Sequence, residues 1–344
     1  MTQGIDSARV TDWFGDNVAN VSPPLQFDLV AGGRSNLTYR VTDAAHTAWA
    51  LRRPPVSHVL PTAHDMAREF RILKSLGPTD VPVPVVAGLC EDNSVNGAPF
   101  YVMEFVDGFV LRDGKTVQAS IGEAQRHTAG ESVAETLAKI HAVDIDAVGL
   151  GDFAKRDGYA ERQLKRWLSQ HENSPVDGLD TEAVVKEAHH RLASNIPEQR
   201  WTTIVHGDYR LDNVVVGPDG NVRAVLDWEI CTLGDPMADV GLLMVYWNEQ
   251  GEQAVLAGVT PTAEPGFPDR AEMKEFYAKA SGRDLESLDF WIAFGYWKLA
   301  CILQGVYHRY VGGAAAGDRS AIDGLGDMVS ELGASALRVL EDGE

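Results

Sequence analysis

The sequence predicts an α+β fold: a small antiparallel-sheet lobe over residues 1–105, then a larger, mainly helical lobe over residues 106–344. Two observations predict it. Short runs rich in β-branched and aromatic residues concentrate before residue 105, and apolar residues recur at helical spacing over most of the remaining chain. Strands that precede helices, rather than alternating with them, mark a segregated α+β architecture. At 344 residues and 44% apolar, the chain can bury a large core as one bilobal unit or two small domains.

Within the first lobe, residues 26–30 and 36–42 read as strands flanking Ala31-Gly32-Gly33-Arg34-Ser35. That loop has two readings: an ordinary β-turn, or a glycine-containing loop whose backbone at Gly32, Gly33 and Ser35 approaches phosphates. Residues 47–53 read as a third strand stopped by Pro54-Pro55. Residues 64–76 place Met66, Phe70, Leu73 and Leu76 near helical spacing, an amphipathic helix packed on the sheet. Glu69 lies beside that apolar face, where its own pattern reads as a solvated carboxylate pairing with Arg68 or Lys74. After a polar turn at 91–97, residues 99–108 form a strand running into a loop, with Met103 and Phe105 as core side chains on their own pattern.

In the second lobe, helices are predicted at 132–141, 161–170, 182–194, 237–247, 271–280 and 287–310. The last carries Phe290, Trp291, Phe294, Tyr296, Trp297 and Tyr307, which serve a core first and a ligand pocket second. Residues 249–268, rich in Gly, Pro and acidic residues, read as a long loop covering such a pocket.

The richest stretch runs from His206 to Asp239: HGDYRLDNVVVGPDGNVRAVLDWEICTLGDPMAD. His206-Gly207-Asp208, four residues and Asn213 reproduce the H-x-D-x-x-x-x-N spacing of a phosphotransfer loop, in which Asp accepts a hydroxyl proton and Asn ligates magnesium. A β-branched run at 214–216, a Pro-Asp-Gly turn and a second apolar run at 222–226 predict a β-hairpin. It returns Asp227 to the neighbourhood of Asn213. One amide and one carboxylate suffice for magnesium, which keeps waters and takes nucleotide oxygens for the rest.

On these residues the chain resembles the aminoglycoside phosphotransferase and choline kinase family, a small-molecule branch of the protein-kinase-like fold. HGDYRLDN matches its catalytic motif, LDWE at 226–229 its metal motif, and GDPMADVG at 234–241 continues the match. The run LRRPP resembles the branch of phosphotransferase domains associated with acyl-CoA dehydrogenases. The resemblance implies Asp208 as base, Asn213 and Asp227 as magnesium ligands, and Asp239 as a support for the catalytic loop. It implies that Arg52, in place of the family's lysine, handles phosphates with the 31–35 loop while Glu69 orients it. It also implies that the backbones of Glu104 and Val106 hydrogen-bond the adenine, with Met103 at the back of the pocket. ATP, or GTP, and Mg2+ are the implied co-substrate and cofactor. The implied acceptor is a hydroxylated small molecule, first a hydroxyacyl-CoA or hydroxy acid, second an aminoglycoside.

A formal charge of −20 disfavours nucleic acid as a partner. It suits a cationic acceptor, or serves solubility alone. Arg34, Arg162, Lys165 and Arg166 are candidates for a local basic patch toward a coenzyme A thioester. Cys90, Cys231 and Cys301 are too dispersed for a disulfide framework and point to a reducing, cytoplasmic setting. No signal peptide is expected, since no basic amino terminus precedes an apolar segment, and no membrane span, since Lys298 and Gln304 interrupt the apolar stretch near 291–307. A homodimer is compatible with the sequence. Two readings from other classes stand beside the kinase: a metal-dependent hydrolase using His206, Asp208, Asp227 and Asp235, and a nucleotide-binding scaffold without transfer, suggested by arginine at position 52.

Overall fold

The computed structural model describes residues 3–30, 36–56, 65–176, 179, 181–252, 261–311 and 324–343. The Gly32, Gly33, Arg34 and Ser35 loop therefore lies outside the described residues, as does part of the 249–268 loop. Five strands, β1 (Gln26–Leu29), β2 (Leu37–Thr42), β3 (Ala48–Arg53), β4 (Val86–Cys90) and β5 (Phe100–Glu104), form one antiparallel sheet in the order β1-β2-β3-β5-β4. Both faces are covered. Helix α1 (Ser7–Asn17) packs Val10 and Phe14 against Trp49, Leu51, Phe100 and Val102. Helix α2 (Met66–Leu76) packs Ile72, Leu73 and Leu76 with Ala50, Tyr101 and Met103 on the opposite side. The residues alternate between the two cores along β3 and β5, as a period-2 strand buried on both faces requires. A one-turn α3 (Asn93–Asn96) stands where a polar turn was expected.

Sequence reasoning missed α1. Its signals were short: Asp6 caps the helix through Arg9 N, and Val10 and Phe14 lie one turn apart. Asp65 caps α2 in the same way, through Arg68 N at 2.9 Å.

The rest is mostly helical: α4 (Gly114–Ser120), α5 (Glu123–Ala142), α6 (Tyr159–Glu172), α7 (Glu182–Ser194), α8 (Met237–Tyr246), α9 (Arg270–Ser281), α10 (Leu288–Val311) and α11 (Leu325–Asp342). Helix α10 is the axis, packed against α6, α7, α8 and α11, while α5 lies on α9. Its aromatic stripe is core: Phe290, Trp291, Phe294 and Trp297 are buried, with Tyr296 and Tyr307 half-buried. Helix α5 starts nine residues before the predicted segment, and α4 and α11 were not predicted. Two small sheets lie among the helices. β6 (Thr203–Val205) pairs with β9 (Thr232–Gly234), and β7 (Val214–Val216) pairs with β8 (Val222–Val225) as the expected hairpin. Among the described residues, no helix is long and apolar enough to cross a membrane.

Phe14 is fully buried and meets Trp49 edge-on at 5.9 Å. Phe14→Ala is expected to cost about 3–5 kcal/mol of unfolding free energy in chemical denaturation. A loss below about 1 kcal/mol would mean that α1 does not hold the sheet.

Candidate active site

The loop after β6 is pinned from below by one carboxylate. Asp239, in the first turn of α8 and without exposed surface, accepts from His206 N at 2.6 Å and from Gly207 N at 2.8 Å. His141 Nε2 on α5 lies 3.3 Å from the same carboxylate, and its Nδ1 meets the Tyr277 hydroxyl at 2.8 Å. Burial pushes the Asp239 carboxyl up, yet the contacts with His141 and the backbone hold it below its ordinary value. Gly207 sits at φ +87°, a backbone conformation that favours glycine, and a Cβ there would press on the Ile230 side chain at 3.1 Å.

This loop delivers Asp208 and Asn213 together. Asn213 Nδ2 donates to the Asp208 carbonyl at 2.7 Å and to Asp208 Oδ2 at 2.9 Å, which leaves Oδ1 as the free polar atom of the amide. Across the hairpin, Leu226 N donates to Asn213 O at 2.8 Å, which places Asp227 beside this pair. Asp227 lies in the left-handed region at φ +63°, a strained conformation for a residue with a Cβ. Arg210 Nε lies 3.5 Å from Asp208 Oδ2 and its Nη1 3.1 Å from Asp212, with its guanidinium over the Tyr246 ring at 4.9 Å. Sequence reasoning missed Arg210 and Tyr246. Position inside the HGDYRLDN motif was the only signal for the first.

From the sheet, Arg52 reaches the same place. Its Nε donates to Glu69 Oε2 at 3.1 Å, its Nη2 ion-pairs with Asp227 Oδ1, and Glu229 Oε2 lies 3.9 Å away. Burial disfavours the guanidinium charge, but Glu69, Tyr101, Asp227 and Glu229 outweigh it and hold Arg52 protonated. Glu69 is buried on Arg52 rather than solvated beside Lys74, and Arg68 donates to Cys231 O at 2.7 Å instead. Asn36 Nδ2 donates to Glu229 at 3.0 Å, tying the start of β2 to the LDWE turn. At the junction of the lobes, Glu104 N already donates to Val85 O at 2.8 Å, so only its carbonyl is left as a ligand for adenine. Val106 is half-buried, and Met103 belongs to the core.

The hydrolase set does not assemble. His206 Nε2 donates to Leu226 O at 2.9 Å and its Nδ1 accepts from Asp208 N at 3.3 Å, so both ring nitrogens are engaged. Asp235 instead accepts from Met237 N at 2.9 Å at the start of α8. Among the described residues, no group of three or more His, Cys, Asp and Glu is arranged to hold a metal. Asn213 Oδ1 and Asp227 Oδ2 are hard oxygen donors of the kind magnesium takes, so these residues fit that cation.

A five-stranded antiparallel lobe on a helical lobe, with an H-x-D-x-x-x-x-N loop and an acidic hairpin end between them, defines a kinase-like phosphotransferase. The model of the phosphotransferase enzyme family matches residues 27–276, and the chain belongs to that family. It is 35% identical over 313 residues to acyl-CoA dehydrogenase family member 10 of Mus musculus, covering 90% of this chain and 28% of that protein. It is 34% identical over 342 residues to the probable acyl-CoA dehydrogenase IBR3 of Arabidopsis thaliana, covering 94% and 41%. The chain thus spans less than half the length of these relatives. A Ralstonia eutropha protein provisionally described as an aminoglycoside phosphotransferase superposes with a TM-score of 0.79 at 32% identity, covering 97% and 98% of the two chains. The choline kinase of Cryptosporidium parvum shares the fold at TM-score 0.67 and 11% identity, over 97% and 95%. The GDP complex of aminoglycoside 2'-phosphotransferase-IIIa shares it at 0.63 and 14%, over 96% and 99%.

Burial raises the Asp235 carboxyl from 3.8 to about 6. The folded chain therefore holds this proton more tightly than the unfolded chain. The resulting stability is complete below about pH 3.8 and is lost as pH rises through about 6. Asp235→Asn keeps a cap for Met237 N and removes that loss. It is expected to gain up to about 3 kcal/mol at neutral pH and little near pH 4. Equal differences at both pH values in denaturant titrations would refute the assignment.

Proposed function

We propose that the chain transfers the γ-phosphoryl group of ATP, or of GTP, to the hydroxyl of a small molecule. The observation that carries this reading is the Asp208–Asn213 contact, which turns the amide oxygen away from Asp208 while keeping a carboxylate ready for a proton. Asp208 accepts the acceptor's hydroxyl proton as the oxygen attacks. Asn213 and Asp227 hold magnesium, which neutralises charge on the nucleotide phosphates when bound. Arg52, steadied by Glu69, turns the remaining edge of its guanidinium to phosphate, with Gly32, Gly33 and Ser35 supplying backbone N–H groups. The Glu104 carbonyl and Val106 N–H take the adenine edge, and the lobes divide near residue 105. Catalysis is positioning and charge neutralisation, because a loose transition state needs little covalent help.

The acceptor class that leads is a hydroxyacyl-CoA or hydroxy acid. Two observations support it over an aminoglycoside: the relatives matched over 90% or more of this chain are named as acyl-CoA dehydrogenases, and Arg162, Lys165 and Arg166 share helix α6. The three cysteines are buried and free, which suits a reducing compartment such as the cytoplasm.

Incubation with Mg-ATP and either a hydroxyacyl-CoA series or aminoglycosides, read by mass spectrometry, is expected to give a product heavier by one phosphoryl group with the first class only. Asp208→Asn is expected to lower turnover by about 10²–10⁴-fold while leaving nucleotide affinity within about twofold. Phosphorylation of aminoglycosides alone would replace the acceptor, and full turnover by the Asp208 variant would remove the base.

A further inference from the structure

Lys298 is unexplained by the motif. It lies in the middle of α10, is only 7% exposed, and in the sequence merely interrupts an apolar stretch. A buried ammonium is costly unless something in the fold uses its charge. Its hydrogen bond goes to the carbonyl of Gly207 at 2.6 Å, and its charge lies 5.5 Å over the ring of Trp167 on α6. Burial lowers its pKa, with Asp208 and Asp239 opposing.

Gly207 is thereby gripped on both sides. Its N–H goes to Asp239 at 2.8 Å and its carbonyl to Lys298 at 2.6 Å. The second peptide's own N–H, that of Asp208, goes to His206 Nδ1 at 3.3 Å. A glycine at φ +87° has no side chain to hold its torsions, so these external bonds define them. The torsions of Gly207 in turn set where Asp208 points.

We propose that Lys298 is a positioning residue for the phosphotransfer loop: Lys298 and Asp239 form an ion pair split across Gly207, and the polarised backbone between them fixes the Asp208 carboxylate. Two buried charges of opposite sign compensate one another through the backbone they hold. The same contact links the loop to α6 and α10, so a change in the packing of these helices reaches Asp208 through Lys298. The turnover part of this proposal rests on the functional reading above; the structural part does not.

The test compares the parent with Lys298→Met, Lys298→Gln and Lys298→Arg. Three readouts are taken: calorimetric Mg-ATP affinity, phosphate release from Mg-ATP with water as acceptor, and hydrogen exchange of the peptide spanning residues 204–213. Affinity is expected to stay within about twofold while phosphate release falls about 10- to 100-fold in Lys298→Met, the scale of a misplaced catalytic group. Lys298→Arg is expected to retain more turnover than Lys298→Met. Exchange over 204–213 is expected to speed at least about tenfold in the Met variant, with α5 and α10 as protected as in the parent. Lys298→Gln, which keeps a donor without the charge, is expected to fall between, and it decides the matter should Lys298→Met not fold. Parental exchange over 204–213 in a folded Met or Gln variant overturns the proposal, as does parental phosphate release. A parent that neither binds Mg-ATP nor releases phosphate overturns the functional reading instead, and the exchange comparison still decides the role of Lys298.

Discussion

The site depends on one buried anion. Asp239 enters the interior on the first turn of α8 and gathers three groups: the N–H of His206, the N–H of Gly207 and the imidazole of His141. A carboxylate with no exposed surface survives in such a place only when its oxygens are saturated by donors. Those donors belong to the loop that bears Asp208 and, through His141 and Tyr277, to α5 and α9. That loop is therefore not a free surface loop but an extension of the helical core. Without Asp239, two backbone N–H groups would be left buried and unsatisfied, and the α8 side of the loop would lose its hold on Asp208.

Arg52 plays the complementary part from the sheet. A single guanidinium on β3 meets Glu69 from α2 and Asp227 and Glu229 from the LDWE turn, so one side chain joins the two halves of the fold. Arg52 thus gathers three carboxylates from two directions at one point. Asp227 holds its place there in the left-handed backbone region, and under the proposed function its carboxylate is one of the magnesium ligands. Arginine suits this position because its planar fork can serve Glu69 and Asp227 at the same time, which a single ammonium does less directionally.

Legibility in the sequence tracks how local each signal is. Strands β1, β2, β3 and β5, the seven predicted helices and the 214–226 hairpin were legible because their apolar spacing and turn residues are local. Asp208, Asn213 and Asp227 stood out through residue type and spacing, whereas the Arg52–Glu69 pairing followed only from the resemblance to the kinase pattern of a strand lysine and a helix glutamate. Strand β4 was not predicted, since Val86–Cys90 carries a glycine at its centre and no alternation of apolar with polar residues. Helix α1 was missed because two apolar residues and one cap make a weak pattern. The three-residue strands β6 and β9 carry no period at all, and their pairing of Thr203 with Gly234 exists only in three dimensions. His141 and Lys298 were silent for the same reason. Each is an ordinary helix residue until folding sets it against a distant partner, 98 positions away for His141–Asp239 and 91 for Lys298–Gly207.

The central claim is the proposal that Asn213 and Asp227 hold magnesium for a nucleotide bound between the lobes. Calorimetric binding of ATP and GTP, with and without magnesium, on the parent chain and on Asp227→Ala tests it most directly. The account predicts magnesium-dependent binding of at least one nucleotide in the parent, lost in a folded Asp227→Ala. Absence of binding to either nucleotide by the folded parent, or equal binding by the variant, would contradict it.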